Sequence, residues 1–158
     1  MPLWYGAGDQ GGAISESVFH DVPFDALDPR VLRVSFASRL LSPVRTTHPL
    51  DLIDLTSEGL RRLRLTRAEL IESNAAQHGW TCERGAELRA AAPWAQGLVW
   101  VARQHDRSLA YVLFGGRIPA GSLEDDIDAG GPIPLGAGVG LELVEDLANR
   151  CGITIAEP

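Results

Sequence analysis

Hydrophobic and polar positions change their period several times along this chain of 158 residues. Pro2 to Ala7 is a short apolar-aromatic run, which predicts a strand beginning almost at the first residue. Asp9 then predicts the start of a helix over about residues 10–20, because its carboxylate can accept from the free amides of a first turn. Within that span Ala13, Ser17 and His20, or Ile14 and Val18, share faces at helical spacing. Gly11 and Gly12 weaken the first turn, which is tolerable where something must approach the backbone closely.

Further on, Leu32, Val34 and Phe36 alternate with Val31, Arg33 and Ser35, the two-residue period of a half-buried strand. Leu50 to Leu55 reads as another strand, with an acidic rim from Asp51 and Asp54. Thr66-Arg67-Ala68-Glu69 is a capping box that opens a short helix. Thr81 is expected to cap the next helix, running to about Ala92 before Pro93. Gly97 to Arg103 and Leu109 to Phe114 flank the polar turn His105-Asp106-Arg107-Ser108 and predict a hairpin. A proline- and glycine-rich loop from Pro119 to Gly138 precedes a helix at Leu141 to Ala148 and a strand at Ile153 to Ile155. No repeat interrupts this order. Strands and helices alternate without a βαβ rhythm, so the expected class is α+β (mixed α/β), not a doubly wound sheet.

Composition narrows the class. The length suits one domain over residues 1–158, with 45% apolar and 22% charged residues, as in ordinary globular proteins. A net charge of -7 speaks against a nucleic-acid partner, which needs a clustered basic face. No apolar run is long enough to cross a bilayer and no leader pattern opens the chain, so the expected location is cytoplasmic. Cys82 and Cys151 stand far apart, and His20, His48, His78 and His105 form no ligand pattern, so no metal site is expected.

Among chemistry-bearing residues Glu16 comes first. A lone Glu in a short helix most often faces solvent. Here it stands among Ala13, Ile14, Val18 and Phe19, after a glycine-rich bend. A carboxylate so placed can bind a ribose hydroxyl and stabilise a positively charged sugar transition state. His20, one turn on, could pair with it or simply end the helix. Gly136-Ala137-Gly138-Val139-Gly140 invites a phosphate-loop reading but lacks the required spacing, and a flexible entry to a helix explains it better. Glu124-Asp125-Asp126-Ile127-Asp128 could hold a hard cation; an acidic solvent loop is the simpler reading. Trp4, Trp94 and Trp100 suit a core, although one could stack on a nicotinamide or adenine ring.

The run from Trp4-Tyr5-Gly6 through Glu16 to His20-Asp21 resembles the central signature of the RES-domain family. Leu52-Ile53-Asp54-Leu55-Thr56 with Gly59-Leu60 is similar to a second family block, and Thr81, Ala86 and Leu88 to its helix. Gly97-Leu98-Val99-Trp100-Val101-Ala102-Arg103-Gln104 and Val112-Leu113-Phe114-Gly115-Gly116-Arg117 resemble two more. The likeness spans about residues 3–118, with residues 119–158 a C-terminal loop, helix and strand.

This resemblance implies a fold like that of ADP-ribosyltransferases and a bacterial toxin that degrades NAD at its nicotinamide–ribose bond, by phosphorolysis or hydrolysis. NAD would be substrate, with no prosthetic group, and an antitoxin protein the partner; a homo-oligomer stays open. It gives Glu16 the catalytic role, with Tyr5 lining the NAD cleft, Arg103 holding phosphates, and Ala102 standing where the family has Ser. The family's Arg lies upstream of the tyrosine block and has no counterpart here, so the domain is expected to lack its N-terminal strands, with Met1 an internal residue of a longer protein or the gene a remnant. The alternative is a catalytically inactive RES-like module that engages an antitoxin-type partner.

Overall fold

The computed structural model describes residues 2–72 and 78–157, so Met1 and any reading of it lie outside the described residues. Leu3–Ala7 form β1 and Gln10–Ser17 form α1. Arg30–Leu32 (β2), Leu40–Leu41 (β3), Val44–Thr46 (β4) and Leu52–Asp54 (β5) follow as short strands. Three helices come next, Ser57–Leu63 (α2), Arg67–Leu70 (α3) and His78–Ala91 (α4). The remainder is Gly97–Val101 (β6), Leu109–Phe114 (β7), Leu123–Asp125 (β8), Ile133–Pro134 (β9), Gly138–Cys151 (α5) and Thr154–Ala156 (β10). With 35% of residues helical and 23% in strands, the architecture is the mixed α+β type that the irregular rhythm predicts.

A four-stranded sheet in the order β1-β7-β6-β5 carries the rest. β7 pairs antiparallel with β1, setting Tyr5 opposite Val112, and with β6, setting Trp100 opposite Ala110. This is the hairpin expected around residues 105–108. β5 adds in parallel on the far side, Ile53 opposite Leu98. The smaller pairs are β10 parallel to β2, and β3 and β4 antiparallel to β9 and β8. Two of these strands arise inside the segment read as a loop from Pro119 to Gly138.

Two other expectations are corrected. The alternation over residues 31–36 gives a strand only to Leu32, after which Arg33–Ser35 form a 3-10 turn. The cause is burial: the core takes Val31 and Phe36, which differ in strand parity, so the chain must turn to seat both. Thr81 lies inside α4, which begins at His78, and does not cap it. The Thr66–Glu69 capping box is present as expected, with both reciprocal bonds made.

Apolar burial concentrates in two clusters. Ile14, Val18 and Phe19, on and just after α1, pack with Phe36, Val144 and Leu147. Ile53, Leu60, Leu98, Val112 and Phe114 form the second, on the face covered by α2 to α4. Each fully buried Phe or Leu contributes about 2–3 kcal/mol of transfer free energy. Gly152, left-handed at φ 69°, closes α5 so that Ile153 can return to the first cluster. β1 is a sheet edge, and its Leu3 and Tyr5 remain exposed on the face where neighbouring β7 buries Val112 and Phe114.

Candidate functional site

Helix α1 is built to press against the turn between β6 and β7. Asp9 caps it, its Oδ1 accepting the Gly12 N–H at 2.7 Å. Gly12 is buried against Ser108 and Ala7, where a Cβ would overlap the Ser108 hydroxyl. One turn further along, Glu16 is half-buried and reaches the same turn from the side. Its Oε1 accepts the backbone N–H of Arg103 at 2.5 Å and that of Gln104 at 3.4 Å. Two successive amides thus converge on one carboxylate oxygen, a charge-assisted arrangement that fixes the side chain. The second oxygen, Oε2, takes no hydrogen bond from any described residue. Gln104 in turn donates its side-chain amide to the Val22 carbonyl at 2.9 Å, tying the stretch after α1 to the turn.

The turn is held from its other side. Ala102 is wholly buried, and its N–H donates to the Ser108 carbonyl at 2.9 Å. The carbonyls of Val101 and Ala102 each accept from the Arg67 guanidinium at 3.1 Å. Arg67 also donates to Glu72 at 2.7 Å and to Asp106 at 3.4 Å.

The structure therefore brings Glu16, Ala102 and Arg103 together, through the backbone of the latter two. Arg103 is half-buried at this point. Tyr5 stands apart: it is 66% exposed on β1, and its register partners Val112 and then Leu98 lie four residues short of Ala102. Sheet spacings make that separation roughly 16 Å between backbones. His20 does not pair with Glu16 but with its neighbour Asp21, at 2.8 Å. Trp94 is exposed, whereas Trp100 packs against the second cluster.

The remaining motifs have structural explanations. A Cβ at Gly136 would overlap the Ala37 carbonyl and one at Gly140 the Pro134 carbonyl, so close packing requires those glycines. Glu124 and Asp128 pair with Arg45, and no metal-binding cluster of His, Cys, Asp or Glu occurs among the described residues. Two shallow hollows, one beside α5 and β10 and one on α2, include neither Glu16 nor Tyr5 nor Arg103 in their lining. No helix among the described residues is long and apolar enough to cross a membrane.

Comparison with known families decides the classification. The family model of the RES domain matches residues 1–135. The chain belongs to the RES-domain family. The matched span of this RES domain runs from β1 to β9 and so contains Tyr5, Glu16, Ala102 and Arg103. α5 and β10 lie beyond it, yet α5 supplies Val144 and Leu147 to the first cluster. No curated protein and no solved structure matches the chain. Two residues of this site went unassigned in the sequence. Gln104 stands in the quoted 97–104 block, but its bonds to Glu16 and Val22 join distant segments; Arg67 is masked by its place in a capping box.

Proposed function

We propose that this RES domain degrades NAD at the nicotinamide–ribose bond, with Glu16 contacting the ribose beside that bond. The observation that supports the reading is the asymmetric hold on Glu16, with one oxygen fixed by two backbone amides and the other without a donor among the described residues. Such a carboxylate is preorganised and can accept from a sugar hydroxyl without losing its own anchor. When the glycosidic carbon–nitrogen bond breaks, its electron pair leaves with nicotinamide and positive charge develops on the ribose. The nearby anion stabilises that charge, and phosphate or water then attacks the anomeric carbon. Arg103 would hold the pyrophosphate, Tyr5 would line the far part of the cleft, and an antitoxin protein would cover it. Purified protein should consume NAD in phosphate buffer, and Glu16→Ala should abolish this; no turnover by the wild-type protein would end the proposal.

One observation favours a second reading, in which the domain binds an antitoxin-type partner without turning over NAD. Ala102, at the family's Ser position, has no hydroxyl and is sealed from solvent. This reading predicts a stable complex with the product of the neighbouring gene and an unchanged NAD level; failure to form that complex would count against it.

A further inference from the structure

We propose that Arg67 is a positioning residue for Glu16, acting through the single peptide unit that joins Ala102 to Arg103. The proposal rests on the reading of Glu16 as the working carboxylate, but its geometry stands independently of NAD. The Arg67 Nη2 donates to the Ala102 carbonyl at 3.1 Å, and the N–H of the same peptide unit, on Arg103, donates to Glu16 Oε1 at 2.5 Å. A cation at the carbonyl end draws electron density from the amide and makes its N–H a better donor, so the two bonds strengthen each other. The unit before it is held in the same way. Arg67 Nη1 binds the Val101 carbonyl at 3.1 Å, while the Ala102 N–H binds Ser108 at 2.9 Å.

Arg67 is suited to this task by its setting. It opens α3, whose start is fixed by the Thr66–Glu69 capping box, and its side chain is only 29% exposed. Glu72 and Asp106 orient the guanidinium from two directions while its Nη atoms address the carbonyls. Planar fork geometry is what allows one side chain to grip two successive carbonyls, and a lysine cannot reproduce it. Arg67 and the β6–β7 turn thus form a buttress for the Glu16 carboxylate, linked to it through the Ala102–Arg103 peptide unit.

The test reads the Arg103 amide directly in the whole 158-residue chain by proton–nitrogen NMR and hydrogen exchange. Compared with wild type, R67Q should move the Arg103 amide proton upfield and speed its exchange about tenfold relative to neighbouring β6 amides. R67K should fall between, because one charge reaches only one carbonyl. The upfield shift should shrink when R67Q is made in an E16Q background. An unchanged Arg103 amide in R67Q, or an equal effect with and without Glu16, would overturn the proposal. Uniformly faster exchange across β6 and β7 would also overturn it, since it would mark a merely structural Arg67. If R67Q fails to fold, R67K carries the same comparison. Because no NAD is present, absence of NAD turnover would refute the enzymatic reading while leaving this result to be decided on its own.

Discussion

Glu16 Oε1 lies 2.5 Å from the backbone nitrogen of Arg103, and the two residues are 87 positions apart in sequence. That bond stitches α1 to the β6–β7 turn, so it bears on stability as well as on chemistry. Glu16→Ala leaves two partly buried amides without an acceptor and should cost about 1–3 kcal/mol in urea unfolding. Glu16→Gln keeps an acceptor oxygen and should cost less than half as much. Equal losses would show that charge, not hydrogen bonding, carries the contact.

Three glycines separate crowding from propensity. Gly59→Ala drives a methyl into the Asp54 carbonyl, a rigid neighbour, and should destabilise by about 3 kcal/mol. Gly12→Ala meets the Ser108 hydroxyl, which can rotate, but also the Ser108 and Ala7 Cβ atoms, which cannot, and should cost about 2 kcal/mol. Gly85→Ala sits within α4 with nothing inside 4 Å and should stabilise by about 0.5–1 kcal/mol. Thermal denaturation of the three variants checks the order and the change of sign.

Asp54 should give the protein part of its acid sensitivity. The Thr56 hydroxyl and N–H hold its carboxyl below the ordinary value of 3.8, with Arg62 and the Gly59 N–H assisting and burial opposing. A folded-state value below the unfolded one means that folding favours the ionised form. The contribution is therefore complete above about pH 4 and fades as pH falls through the lower folded value. Asp54→Asn should be less stable than wild type at neutral pH, and the gap should narrow as the pH falls below the ordinary carboxyl value of 3.8. A gap that stays constant as the pH falls below that value would refute the assignment.

The free edge of β1 predicts self-association at high concentration. Leu3 and Tyr5 are exposed there without a charged guard, whereas the opposite edge, β5, is flanked by Asp51 and ends at Asp54. Leu3→Lys should raise the concentration at which light scattering begins; an unchanged threshold would place the contact elsewhere.

Local signals were legible wherever their cause was local. The Asp9 cap, the Thr66–Glu69 box and the hairpin about residues 105–108 all follow from neighbouring residues. The RES-domain blocks likewise appear in order along the chain, and the family match extends over them. What could not be read depends on tertiary contact. Val31 and Phe36 override the strand alternation because one core claims both. Strands β8 and β9 are two or three residues long and exist only because β4 and β3 lie beside them. The role of Arg67 was hidden for the same reason, since its acceptors Val101 and Ala102 are 34 and 35 residues away.

The central claim is that the anchored Glu16 carboxylate supports cleavage of the nicotinamide–ribose bond, and NAD consumption tests it most directly. The 158-residue chain, with and without inorganic phosphate, should release nicotinamide from NAD, and Glu16→Gln should slow release by about a hundredfold or more. Nicotinamide release by Glu16→Gln at the wild-type rate, or none from wild type under either condition, would contradict it.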